Sequence, residues 1–225
     1  YVPSLLTTTE ERISLLRSTG IGHVEVLAFD RQMSEMDARS FMKEVLHGRL
    51  NVSTLIMGYD HRFGHGGGRH EDYVQWGKEC GIKVIVAPMF DKVYASSSEI
   101  RRLLAEGNVA EASCLLCHPY ILTGTVKSGH QVGRTLGFPT ANLSIDVDKL
   151  IPANGVYAVM TDLGHGIMNI GRRPTLDNGA DLSIEVHIMN YTGDLYGKKL
   201  QLQFVGRIRE EKKFASLDEL KAQIQ

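Results

Sequence analysis

The chain has 225 residues, enough for one large domain or two ordinary ones, and 43% of them are hydrophobic, so a sizeable core is available. A formal net charge of −1 speaks against a nucleic-acid binder or a polybasic membrane anchor. No apolar run approaches the ~18 residues of a membrane-spanning helix, no signal peptide opens the chain, and three cysteines, an odd count, fit a reducing cytoplasm better than a disulfide framework.

From its start the chain alternates helix and strand. Thr8 and Glu11 form a capping-box pair ahead of a helix over "RISLLRS". "HVEVLAF" (His23 to Phe29), rich in β-branched and apolar residues, reads as a strand. Ser34 with Asp37 opens a second helix that runs to Leu46, and "STLIMG" (Ser53 to Gly58) is another strand. "EDYVQWGKECG" is a helix closed by Gly81, "KVIVAP" a strand, and "SSSEIRRLLAEG" a helix closed by Gly107. This alternation predicts a parallel sheet with helices on both faces, which binds ligands at the carboxyl ends of its strands. A short helix follows, from an Asn108 cap to about Leu116.

Then the pattern changes. "YILTGTVKSG", "GVYAVMTD", "GIMNIG", "SIEVHIM" and "KLQLQFVGRI" are strand-like segments separated by Gly, Pro, Asn and Asp, with no helix between them. They predict an antiparallel barrel or sandwich. Ser216 and Glu219 cap a terminal helix over "LDELKAQI". The boundary between the two patterns falls near His118-Pro119, giving domains 1–117 and 118–225. The fold class is α/β followed by β.

Two stretches carry candidate chemistry in the second half. In "GRTLGFPTANL" (Gly133 to Leu143), Gly133 and Gly137, with Gly129 upstream, let backbone N–H groups approach an anion without an intervening Cβ. Pro139 then fixes the chain before Thr140. A Thr hydroxyl and an Asn142 carbonyl are oxygen ligands suited to Mg²⁺. The string is either a Mg-nucleotide site or a glycine-rich hairpin with a capped turn; it is not a Walker loop. In "SIEVHIM", Ile184, Val186 and Ile188 should face the core and Glu185 the other side, beside His187. A carboxylate there is either a base for an attacking hydroxyl or a solvated strand residue.

The first half offers two more. "SSSEIRRLL" places hydroxyls and Arg101 at a helix N-terminus, which is either a triphosphate site or a surface cap. "GYDHRFGHGGGRH" (Gly58 to His70) is a strand-end loop whose glycines fit movement or close approach to a ligand. Its histidines lack the cysteine or carboxylate partners of a closed zinc site. Cys114 and Cys117 have CxxC spacing in an apolar helical run without a second pair.

"GTVKSGHQVGRTLGFPTANL", "IPANGVYAV", "NIGRRPT", "EVHIMNYTGDLYG" and "REEKKFASLDELKAQI", in this order, closely resemble the riboflavin kinase domain of bacterial bifunctional riboflavin kinase/FMN adenylyltransferases. The resemblance implies phosphoryl transfer from MgATP to the ribityl 5′-hydroxyl of riboflavin. It implies that Thr140 and Asn142 hold Mg²⁺ and phosphates and that Glu185 is the base. Gly129 and Arg134 fall on the nucleotide loop, Tyr196 on the nucleotide side, and Arg209, Lys212 and Phe214 on the loop that closes over the flavin. The segment "VYAVMTDLGHGIMNIG" is a few residues shorter than the family's hairpin.

"GYDHRFG" and "SSSEIRR" likewise resemble the two later motifs of the FMN adenylyltransferase domain, a Rossmann-like nucleotidylyltransferase. The implied reaction joins FMN and ATP into FAD and pyrophosphate. Ser97, Ser98 and Arg101 would hold ATP phosphates, and Asp60 and Arg62 would sit near nucleotide and flavin; His61 stands where the family more usually has Phe. The family's opening "H-x-G-H" loop does not occur in this sequence, so the expectation is a domain lacking its N-terminal part, a competent kinase and an incompetent adenylyltransferase. The resemblance also implies small-molecule partners only, with neither nucleic acid nor membrane.

Overall fold

The computed structural model describes residues 3–89, 95–127, 139–174 and 180–211. In chain order these hold helices α1 (Thr9–Ser18), α2 (Arg31–Glu35) and α3 (Ala38–Ser40), a π-helical stretch over Phe41–Arg49, strand β1 (Thr54–Gly58), helix α4 (His70–Cys80), strand β2 (Lys83–Ala87), and helices α5 (Ser97–Glu106) and α6 (Val109–Leu116). Strands β3 (Ile121–Lys127), β4 (Ala141–Ile145), β5 (Gly155–Thr161), β6 (Gly164–Pro174), β7 (Ala180–Ile188) and β8 (Lys199–Arg209) follow. They fall into two compact units, one of Val24–Val93 and one of Tyr1–His23 with Tyr94–Gln225.

In the unit of Val24–Val93, β1 and β2 pair in parallel from Thr54↔Lys83 to Gly58↔Ala87, and α4 makes the crossover between them. Met57 points into a core with Ala38, Met42, Tyr73 and Ile82, while its neighbour Ile56 and the partner Ile85 face outward. Gly77 lets α4 pack this closely: a Cβ there would lie 2.6 Å from Ile82 O. Gly81 ends the helix at φ 81°, the left-handed conformation glycine tolerates.

Two expected elements differ in this unit. His23 to Phe29 is not a strand: no described strand forms a ladder with it, and Val26 and Phe29 are exposed. Strand propensity needs a ladder partner to become a strand. The helix expected from Ser34 instead begins after a break at Met36, with Asp37 as its cap. Asp37 accepts from Ser40 N–H at 2.9 Å and Ser40 Oγ at 2.7 Å, which holds its carboxyl below the ordinary range. The helix then widens to a π-turn, in which Leu50 N–H reaches Val45 O at 2.9 Å.

The other unit is built on a closed antiparallel barrel in the order β3-β4-β7-β6-β5-β8. Closure leaves these strands no free edge. Five of them stand where alternation placed them. The sixth, β4, grows out of the "PTANL" string read as loop: Ala and Asn are poor strand formers, and β4 is half-buried along its length with no alternation to betray it. The interior holds Leu122, Met168, Ile170, Val186, Leu202 and Phe204, with Tyr157 edge-on to Phe204 at 5.2 Å. Ile100, Leu103, Leu104, Val109 and Ala112 of α5 and α6 belong to the same core. The terminal helix expected over "LDELKAQI" lies outside the described residues.

Helix α1 is pinned to this barrel by a buried ion pair. Lys149 Nζ donates to Glu11 Oε2 at 2.6 Å, with the two side chains 0% and 1% exposed. Thr8 and Thr123 N–H groups donate to the same carboxylate at 3.0 and 2.9 Å. Lys149 also donates to Leu6 O at 2.7 Å and lies 4.4 Å above the Tyr120 ring. Burial pushes the Lys149 ammonium below its ordinary value, and Glu11 opposes that shift.

Two phenols give the fold an alkaline limit. Burial raises Tyr120 and Tyr157 above the ordinary 10.0, with Glu11 adding to the rise at Tyr120. Their stabilisation is complete below about pH 10 and is lost as pH climbs through their raised values. Lys149 acts oppositely, adding stability from its lowered value up to the ordinary 10.5, above which the phenols alone decide. In an alkaline titration followed by tyrosinate absorbance, both should ionise only as the circular dichroism of the barrel is lost. Ionisation of all eight tyrosines with that signal intact contradicts this.

Candidate functional site

On β7, Ile184, Val186 and Ile188 point into the barrel, so Ser183, Glu185 and His187 share its outer face. β4 runs antiparallel beside it, with Ala141 opposite Val186 and Asn142 opposite Glu185. Just before β4, Pro139 O accepts a hydrogen bond from His187 Nδ1 at 2.9 Å, which fixes the entry of the strand. Thr140 Oγ1 then donates to Glu185 Oε2 at 3.2 Å, and Ser183 Oγ donates to Oε1 at 3.1 Å. Each carboxylate oxygen therefore receives a hydroxyl, and such an oxygen can accept from more than one donor.

The ladder extends this face sideways. Asn169 of β6 stands opposite Glu185, Val156 of β5 opposite Asn169, and Arg209 of β8 opposite Val156. Directly opposed residues share a face. One lateral row thus runs Arg209, Val156, Asn169, Glu185, Asn142. Around the end of the barrel lies a cavity of about 540 Å³, lined by Thr140, Val126, Ile188, Tyr191, Asp194 and Tyr196 among others. This size suits a small-molecule ligand. Glu185 does not line it; Thr140 belongs to both the cavity and the carboxylate.

Thr140 and Asn142 are two apart on an extended backbone and so present oxygen atoms on one side. A Thr hydroxyl that donates its hydrogen still holds two lone pairs, and the donor set is all oxygen, which fits Mg²⁺. Alternation pointed to Glu185 in the sequence. The same period of two, carried back to Ser183 and across to Asn169, would have found the rest of this face. Gly129, Arg134, Lys212 and Phe214 lie outside the described residues.

In the same unit, Ser96 rather than a later serine caps α5, accepting from Glu99 N–H at 3.1 Å. Ser97 and Ser98 are exposed in the first turn. Arg101 Nε donates to Ser4 O at 3.1 Å, so this head group has a backbone partner. In the unit of Val24–Val93, Asp60 and Arg62 are exposed in the turn after β1. Arg62 Nη1 donates to His61 O at 2.8 Å and to His70 Nε2 at 2.6 Å. Gly64, at φ 82°, passes so near α3 that a Cβ would fall on the Ala38 backbone. Among the described residues no three His, Cys, Asp or Glu side chains converge as a metal cluster, and no helix is long and apolar enough to cross a membrane.

Comparison with known proteins matches residues 116–225 to the riboflavin kinase family model and residues 1–100 to the FAD synthetase family model. The bifunctional riboflavin kinase/FMN adenylyltransferase of Escherichia coli is 39% identical, over 99% of this chain and 73% of that protein. The protein of the same name from Listeria monocytogenes is 34% identical, over 98% of this chain and 72% of its own length. A crystal structure described as a macrolide-efflux protein from Streptococcus pneumoniae superposes with a TM-score of 0.82 at 31% identity, over 97% of this chain and 72% of that one.

Proposed function

The chain belongs to the bifunctional riboflavin kinase/FMN adenylyltransferase family, and from that premise we propose how its residues divide the work. It is an enzyme of FMN and FAD biosynthesis: one activity phosphorylates riboflavin with ATP to FMN, the other joins FMN and ATP into FAD and pyrophosphate. Residues 118–225 carry the kinase and residues 1–117 belong to the adenylyltransferase. The observation that carries the kinase reading is the Glu185 carboxylate, gripped by Thr140 opposite Asn142 and beside the cavity.

Glu185 takes the proton of the riboflavin 5′-hydroxyl as that oxygen bonds to the γ-phosphorus and the bond to the ADP bridging oxygen breaks. The cavity takes the nucleotide, with Tyr196 on its wall, and Gly129 and Arg134 would bind its phosphates. Thr140 and Asn142 would hold Mg²⁺, which neutralises phosphate charge when bound. Arg209, in the row with Glu185, approaches the flavin together with Lys212 and Phe214. For the adenylyltransferase activity, Ser97, Ser98 and Arg101 are the candidate holders of ATP phosphates in the barrel's unit, and Asp60 and Arg62 the candidate nucleotide and flavin contacts in the unit of Val24–Val93. The free cysteines Cys80, Cys114 and Cys117 support a cytoplasmic setting.

The test incubates the chain with riboflavin, ATP and Mg²⁺ and separates the flavins by chromatography. FMN should form, and chelation of divalent cations should stop it. Asn142→Ala should raise the Mg²⁺ concentration for half-maximal rate by about tenfold or more, since even an outer partner of a metal site is worth that much. FMN formation indifferent to chelation and to Asn142→Ala would overturn the metal assignment.

A further inference from the structure

We infer that Ser183 is a positioning residue for phosphoryl transfer, holding the Glu185 carboxylate in the plane from which it takes the substrate proton. The inference rests on the reading of Glu185 as the base. The terminal torsion of a glutamate is broad and roughly two-fold, so an unrestrained carboxylate turns through a wide range. Here hydroxyls from two segments meet one carboxylate, Ser183 Oγ on Oε1 at 3.1 Å and Thr140 Oγ1 on Oε2 at 3.2 Å. A hydroxyl held on each of the two oxygens fixes the plane as well as the position.

The polarity of both contacts is set by chemistry. An ionised carboxylate only accepts, so each hydroxyl donates. Ser183 and Glu185 are half-buried, where such a bond competes less with water. The two hydroxyls differ in their other duties. Thr140 also lines the cavity and is a candidate metal ligand, so its orientation answers to bound nucleotide as well. Ser183 is on β7 itself, two residues from Glu185 and paired with Gly171 of β6 inside a closed barrel. It is the fixed half of the grip. A base must stand within about 2.6–3.2 Å of the proton it abstracts, and small misplacements of such groups are costly.

The experiment measures kcat and KM for riboflavin and ATP by FMN formation, with Ser183 replaced in the native chain and in a Glu185→Gln chain. Ser183→Val and Ser183→Thr are nearly equal in shape, so their comparison isolates the hydroxyl from packing. Ser183→Ala and Ser183→Val should each lower kcat about tenfold, the worth of one hydrogen bond to a charged group, with both KM values within about twofold. Ser183→Thr should restore kcat to within about threefold. In the Glu185→Gln chain, Ser183→Val should cause no further loss. An equal loss there, a loss confined to KM, or wild-type kcat in Ser183→Val overturns the inference. If Glu185→Gln itself turns over normally, the base assignment falls; if Glu185→Gln is slow while Ser183→Val is not, only the role of Ser183 falls.

Discussion

Replacing Glu185 by Gln lowers the rate of FMN formation by about 10²–10⁴-fold, the range a positioned general base contributes. The substitution is mild in every other respect. Gln keeps the shape, and its amide oxygen still accepts one hydroxyl. Where the amide nitrogen faces the other hydroxyl, the bond reverses, because Ser and Thr oxygens accept as well as donate. Ile184, Val186 and Ile188, which the substitution leaves in place, supply the packing around position 185. The melting temperature and the KM for both substrates should therefore stay near their native values while kcat falls. That split belongs to an interaction made in the transition state. An unchanged kcat would remove Glu185 from the chemistry.

Breaking the pair between Glu11 and Lys149 has the largest expected effect on stability. Removing one partner of a buried ion pair costs about 3–5 kcal/mol, against a total of about 5–15 kcal/mol for an ordinary domain. Lys149→Met leaves a carboxylate 1% exposed, served only by the N–H groups of Thr8 and Thr123. Glu11→Gln is gentler, because the amide oxygen still accepts from Lys149 or from one backbone donor. The double variant should be less damaged than the sum of the two, since the uncompensated charge is gone, yet below the native chain because a backbone donor loses its acceptor. Urea unfolding midpoints measure all four chains. Losses that simply add would show that the two groups do not stabilise one another.

Much of the architecture was legible because its signals are local. Thr8 with Glu11, Gly81 and Gly107 mark helix ends in sequence and in structure alike. Alternation in "SIEVHIM" oriented Glu185 correctly, and a resemblance in motif order linked it to Thr140, 45 positions away. The illegible parts are those in which a distant neighbour decides. Residues 23–29 have strand composition and no ladder partner among the described residues. β4 has a weak strand composition and two partners, β3 and β7. Glu11 reads as a capping residue, which it is, but its carboxylate also serves Thr123 and Lys149 far along the chain. Ser183 carried a signal, the period of two, that attention to the carboxylate alone left unused.

The discontinuity of the barrel's unit has a consequence for biosynthesis. Residues 24–93 are contiguous and can close their βαβ core as soon as β2 leaves the ribosome. Among the described residues, those that Tyr1–His23 joins in its unit begin beyond Tyr94. Glu11 and Lys149 are 138 positions apart. At a translation rate of about 5–20 residues per second, Lys149 is made roughly 7–28 seconds after Glu11. Over that interval α1 lacks the buried lysine that pins it to the barrel.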